Sequence, residues 1–124
     1  ELAGTIDAIT FESGKPVKAD QLLLSLDSSV EKANLQASLA KLPAARAKFE
    51  RFQNLYKTSS ISKEQLDEAE AAYRSLEADI ESLKATIARR EVRAPFSGVV
   101  GLRNVFLGQY LQPGTDIGFM QPRG

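Results

Sequence analysis

From Leu66 onward, apolar or small residues recur in alternating steps of three and four, at Leu66, Ala69, Tyr73, Leu76, Ile80, Leu83 and Ile87. Sustained over this length, such spacing keeps one stripe of a helix apolar and forms the a/d seam of a coiled coil. The same stepping precedes it at Leu35, Ser38, Leu42, Ala45, Phe49, Phe52 and Tyr56. Two seams predict two helices. Folded back on each other, they place Tyr56 beside Leu66, Phe52 near Ala69, Phe49 beside Tyr73, Ala45 near Leu76, Leu42 by Ile80, Ser38 by Leu83 and Leu35 by Ile87. Bulky residues then face small ones in several layers, as an antiparallel pair requires.

The helix starts are written in the sequence. Ser28-Ser29-Val30-Glu31 and Ser62-Lys63-Glu64-Gln65 each fit a capping box, in which a serine hydroxyl accepts an orphan amide and the residue three later reaches back. Residues 28–90 are therefore read as a helical hairpin, with helix one over about 28–57, a tip at 58–61 and helix two over about 62–89. Each helix is on the order of 40 Å long at 1.5 Å per residue. Pro43 removes one helical hydrogen bond and crowds the preceding turn, so a kink or a restart is expected there. Outer positions are charged and polar, with Glu70 and Arg74 in the favourable i,i+4 order.

The flanks, residues 1–27 and 91–124, have a different texture: alternating apolar positions, β-branched side chains and glycines at turns. They also resemble each other. A shift of 94 positions aligns Gly4 with Gly98, Ile6 with Val100, Phe11 with Val105, Gly14 with Gly108 and Val17 with Leu111. Each half reads as strand, glycine turn, strand, and neither is long enough to bury a core alone. Together they predict one small β-sandwich of approximate two-fold symmetry, into which the hairpin is inserted. The expected core is Ile6, Ile9, Val17, Leu22, Leu24, Leu26, Val92, Val99, Val105, Leu111 and Ile117.

Composition removes whole classes of function. Sixteen acidic and sixteen basic side chains cancel, which argues against a nucleic-acid partner, since that needs a basic face to displace counterions. There is no cysteine and no histidine, so thiolate chemistry, a Ser/His/Asp triad and the usual zinc sites are excluded. No apolar run approaches the roughly 20 residues of a membrane span. The abrupt ends, Glu1-Leu2-Ala3 and Gln121-Pro122-Arg123-Gly124, read as those of a piece of a longer protein.

Two stretches carry a family resemblance. Gly4-Thr5-Ile6 through Glu12-Ser13-Gly14-Lys15-Pro16-Val17-Lys18, closed by Leu24-Ser25-Leu26-Asp27, resembles the first half of the lipoyl-like domain of periplasmic adaptors, also called membrane fusion proteins, of tripartite efflux pumps. Arg93-Ala94-Pro95-Phe96-Ser97-Gly98-Val99-Val100 is similar to that family's re-entry motif after its hairpin. The resemblance implies an α+β fold: a lipoyl-like, barrel-sandwich-hybrid β-domain formed by both chain ends, with an inserted antiparallel coiled-coil α-hairpin. Asp20 stands where glycine is common in the family, and Asp tolerates unusual turn geometry.

The resemblance extends to the tip. Family adaptors carry there an arginine, a leucine four residues on and a serine or threonine seven beyond, and this chain has Arg51, Leu55 and Ser62 at that spacing. In the family these dock the tip onto an outer-membrane channel. Arg51 and Leu55 lie one turn apart on a flank beside the seam, and Thr58, Ser59 and Ser60 supply an uncharged, compact turn. Taken singly, Ser62 is an N-cap, Arg51 a solvated residue and Leu55 a peripheral core contact; only the triplet at a tip points to docking. The resemblance further implies a periplasmic subunit attached to the inner membrane of a Gram-negative bacterium, an inner-membrane transporter of the resistance-nodulation-division (RND) class as second partner, self-association into a hexameric ring, no cofactor and no catalysis. The family's β-barrel and membrane-proximal domains have no counterpart in this sequence. Adaptors of ABC exporters or type I secretion systems are similar, and the readings from other classes are a plain coiled-coil spacer or a lipoyl or biotinyl carrier domain, although carriers bear their modified lysine at a tight hairpin between the halves, where this chain has the coiled coil, and Lys15 and Lys18 lie in the first half instead.

Overall fold

The computed structural model describes residues 3–12, 14–102, 106–111 and 118–122, with backbone only at 101, 102 and 118–122. The element order is β1 (Gly4–Ile9), β2 (Pro16–Val17), β3 (Leu22–Leu26), α1 (Ser29–Lys57), α2 (Lys63–Arg89), β4 (Glu91–Arg93), β5 (Gly98–Leu102), β6 (Tyr110–Leu111) and β7 (Gly118–Pro122). The fold is α+β, the two chain ends building one β-unit and the intervening segment a helical hairpin. Two compact units result, one from Glu1–Ser28 with Ile87–Gly124 and the other from Ser29–Thr86.

The β-unit consists of two antiparallel sheets, ordered β4-β3-β1-β6 and β2-β5-β7. Each sheet mixes strands from both ends of the chain, so neither half closes a sheet by itself. The 94-residue repeat governs the pairing. Gly4 faces Leu111 across β1 and β6, and its equivalent Gly98 faces Val17 across β5 and β2. Ile6 faces Leu26, and Val100 faces Met120, again the same register. Two turn bonds repeat the rule: Gly108 N donates to Ile6 O at 2.8 Å and Gly14 N to Val100 O at 3.3 Å. A sequence repeat with β-period thus specifies matching ladder pairs at these positions, the match ending where β1 slips against β3 between Ile6 and Ala8 while β5 and β7 keep register.

Two apolar clusters form the β core. Ile6, Leu24, Leu26 and Leu111 make one; Val17, Leu23, Ala94 and Val100 make the other. Phe11 and Val92 pack against both. Of the expected core, Ile6, Val17, Leu24, Leu26 and Leu111 are buried, whereas Ile9, Leu22, Val92 and Val99 are only partly so. Val105 and Ile117 lie outside the described residues.

Three core residues depart from simple alternation, and each has a cause. Leu23 and Leu24 are both buried although adjacent, because the register of β3 against β4 slips between Leu22 and Leu24, a bulge that re-aims a side chain. Val100 rather than Val99 points inward, as the equivalence with Ile6 demands. Ala94 is 2 % exposed, held by Ala94 N to Gln21 O at 2.9 Å and Asp20 N to Ala94 O at 2.7 Å, where two backbones run close. Asp20 itself adopts φ +67°, the left-handed conformation that suits glycine best and Asp tolerably.

In the hairpin, Phe49, Leu66 and Tyr73 form a buried cluster with Leu42, Ala45, Phe52 and Ile61 against it. Phe49 and Tyr73 meet as expected, their ring centroids 5.6 Å apart, an aromatic pair that contributes about 0.5–1.5 kcal/mol beyond its area. Ala69 and Ile80 are buried as well. α1 passes through Pro43 without interruption, so the helix does not restart; the lost bond is that to the Leu39 carbonyl four residues back. The seam is corrected at its tip end. Tyr56 is 42 % exposed and Leu55 is the partly buried residue, because Ile61 folds in from the turn and occupies the end of the seam that the heptad assigned to Tyr56.

Candidate functional site: the hairpin tip

Two termination devices join α1 to α2. At the end of α1, Ser60 N donates to Leu55 O at 2.8 Å and Ser59 N to Tyr56 O at 3.0 Å, with Ser59 at φ +58°. That is a Schellman motif with serine in the left-handed position that glycine usually holds. Thr58 reinforces it: its hydroxyl donates to Leu55 O at 3.0 Å and shares a hydrogen bond with the Ser60 hydroxyl at 2.9 Å. The turn therefore satisfies the Leu55 and Tyr56 carbonyls, through its amides and the Thr58 hydroxyl, without bringing a charge to the bend.

At the start of α2 the capping box is reciprocal. Ser62 Oγ accepts from Gln65 N at 3.1 Å, and Gln65 Oε1 accepts from Ser62 N at 2.9 Å. Ile61, just before the cap, and Leu66, in the fourth helical position, pack in one cluster, which is the hydrophobic staple that accompanies such a box. The packing of Ile61 and the left-handed conformation of Ser59 are the tip features that sequence reasoning missed. The staple had a signal, apolar residues on both sides of a capping box; Ser59 had none, because serine carries no preference for positive φ.

These devices fix the side chains around them. Arg51 is exposed, its guanidinium carbon 5.7 Å from the Phe52 ring centroid, and makes no ion pair among the described residues. Its five donors are free for acceptors on another molecule. Leu55, one turn on, is partly covered but does not belong to the Phe49 cluster. Lys48 also sits over Phe52, at 5.4 Å, and Lys63 over Tyr56, at 5.7 Å. Lys63 pairs with Asp67 at 2.9 Å, and that hydrogen bond holds its ammonium above the ordinary lysine range.

Further down the hairpin, Arg46 Nε donates to Tyr73 Oη at 3.2 Å and Arg74 pairs with Glu77 at 2.9 Å. The Arg74 hydrogen bond keeps the Glu77 carboxyl below its usual range. Among the described residues no cluster of acidic side chains could hold a metal ion, and no helix is long and apolar enough to cross a membrane. What this arrangement offers is a rigid, polar bend with an arginine and a leucine side by side, a surface for binding.

A family model described as the RND MFP alpha-helical hairpin domain matches residues 27–92. The chain belongs to this membrane fusion protein family. An uncharacterized protein of Haemophilus influenzae is 44 % identical over 115 residues, covering 93 % of this chain and 30 % of the relative. Multidrug resistance protein MdtA of Pectobacterium carotovorum is 33 % identical over 131 residues, covering 94 % of this chain and 32 % of the relative. The membrane fusion protein thus spans about a third of the length of these relatives. Its fold is that of a MacA–MexA chimera carrying the Pseudomonas aeruginosa MexA α-hairpin, with TM-score 0.80 at 24 % identity over 95 % of this chain and 43 % of the other. A Streptococcus pneumoniae membrane fusion protein, Spr0693, superposes with TM-score 0.71 at 19 % identity, over 94 % of this chain and 55 % of the other.

Proposed function

We propose that this chain is the lipoyl-like and hairpin portion of a periplasmic adaptor in a tripartite efflux pump, and that Arg51, Leu55 and Ser62, with Thr58, Ser59 and Ser60, form the surface that docks on an outer-membrane channel. The observation that carries the reading is the tip itself: Arg51, without an ion pair among the described residues, and Leu55, outside the Phe49 cluster, lie one turn apart, beside a turn whose Thr58, Ser60 and Ser62 hydroxyls bond within the tip. Arginine beside an apolar residue is the kind of pair that dominates interface energetics. Membership of the RND hairpin family and likeness to multidrug resistance proteins support an RND-class transporter as the inner-membrane partner. The role is mechanical: copies assemble as a ring, hexameric in the whole pump, in the periplasm of a Gram-negative cell, and the adaptor performs no catalysis.

The test uses the full-length adaptor in a strain whose drug resistance depends on it. Arg51→Glu or Leu55→Asp is expected to reduce resistance to the level of an adaptor deletion, while the 124-residue chain with either change keeps its helicity and, for the exposed Arg51, its stability within about 0.5 kcal/mol. Undiminished resistance in the double variant would overturn the docking assignment.

A further inference from the structure

The heptad assigns Tyr56 to the seam, but Ile61 fills that end of it and leaves the tyrosine exposed in the last turn of α1. A tyrosine turned out of a core is ordinarily mobile. This one is restrained from both helices: its carbonyl accepts from Ser59 N at 3.0 Å within the Schellman motif, and Lys63, the first residue of α2, lies over its ring at 5.7 Å from the centroid. Lys63 is itself tied to Asp67 at 2.9 Å. The phenol hydroxyl, by contrast, makes no hydrogen bond among the described residues. The seam is closed without this ring, so its restraint adds little to the fold. It suits a contact residue better, because a side chain ordered beforehand loses less entropy on binding, and tyrosine joins a large apolar area to a polar end that needs a partner.

We propose that Tyr56, backed by Lys63, is a further contact residue of the tip, its hydroxyl donating to an acceptor on the outer-membrane channel. This rests on the docking assignment above and extends it around the helix. With 3.6 residues per turn, Tyr56 points about 140° away from Arg51 about the α1 axis, whereas Leu55 lies only about 40° from it. A partner resting on Arg51 and Leu55 alone therefore misses the tyrosine. Engaging all three requires the channel to meet the bend from two sides, which fixes the angle of approach that a single arginine and leucine leave open. The hydroxyl then acts as a selector, because a channel without an acceptor at that place buries it unpaired.

Tyr56→Phe deletes only the hydroxyl, and the 124-residue chain carrying it should keep the circular dichroism and the urea midpoint of the parent. The full-length adaptor is then titrated against the purified channel through which it confers resistance. Tyr56→Phe is expected to raise the Kd about fivefold, the loss of one interfacial hydrogen bond, and Tyr56→Ala at least about tenfold, since it removes the ring as well. Arg51→Glu in the same series keeps the two assignments apart. If Arg51→Glu binds more weakly while Tyr56→Phe binds as tightly as the parent, the role of Tyr56 is overturned and the docking assignment stands; if neither variant is weakened, both fall. A lowered urea midpoint for Tyr56→Phe would show that the hydroxyl serves the fold and would likewise overturn the proposal.

Discussion

The two halves of the β-unit share a backbone and differ in dress. Under the 94-residue shift their ladder partners coincide at Gly4 and Ile6 with Gly98 and Val100, until β1 slips against β3 between Ile6 and Ala8 where β5 and β7 keep register, and their turns match as well: Lys15 N donates to Glu12 O at 3.2 Å and Gln109 N to Phe106 O at 3.1 Å. Gly14 at φ +80° and Gly108 at φ +84° are the same conformation written twice. Yet the first turn carries an ion pair, Lys15 to Glu12 at 2.8 Å, while the second exposes Phe106 and Leu107 at 64 % and 68 %. Backbone register therefore rests on the glycine and on two inward aliphatics per half, Ile6 and Val17 or Val100 and Leu111, all 5 % exposed or less. Of the remaining turn side chains Gln109 still serves the backbone, its Oε1 accepting from Phe106 N at 3.0 Å, whereas Phe106 and Leu107 belong to neither core cluster.

The strongest way to break the comparison is in the core. Ile6→Ala removes an aliphatic side chain packed with Leu24, Leu26 and Leu111 and should cost about 3–4 kcal/mol. Val100→Ala, at the equivalent place, removes one methylene fewer and should cost about 1–2.5 kcal/mol. Urea unfolding of the chain measures both. An Ile6→Ala loss under about 1 kcal/mol, or a larger loss at Val100, would show that the halves do not share a core role.

The sequence revealed these regions unequally, for physical reasons. The seam was legible because a 3.6-residue period repeated over seven layers leaves little freedom, and Phe49 duly meets Tyr73. It departs at Tyr56, where Ile61 comes in from a turn that has no period at all. In the β-unit the alternation misled at Leu23, because a bulge cannot be seen in a run of three leucines, and at Ala94, whose burial depends on a backbone distant in sequence. The repeat was the better guide, since Val100 follows from Ile6. At the tip, Ser62 was legible as a cap through Gln65, whereas the left-handed Ser59 follows from the demands of chain reversal and not from its own chemistry.

A sharper test of equality is at the two glycines. A Cβ added at Gly14 or Gly108 meets nothing within 4 Å, so the expense of a side chain there is conformational and not steric. Ala at either position is forced to positive φ, which costs about 1–2 kcal/mol. The two substitutions should therefore destabilise equally, within about 0.3 kcal/mol, and add in the double variant, as separate sites do. Unequal losses in urea unfolding would mean that one turn is held by something other than its backbone.

The smallest effect is the most informative about Phe106 and Leu107. Their counterparts in the first half are Glu12 and Ser13, and Glu12 sits in a turn of the same hydrogen bonding; a polar pair is thus already compatible with this backbone. Replacing Phe106 by Glu and Leu107 by Ser copies those two residues of the first turn into the second and leaves Gln109, whose Oε1 accepts from Phe106 N at 3.0 Å, in place. Both replaced side chains are exposed, so the double variant should match the parent in urea unfolding to within about 0.5 kcal/mol. A loss above about 1 kcal/mol would mean that the two aromatic and aliphatic side chains support the fold after all, and that the likeness of the halves stops at the backbone.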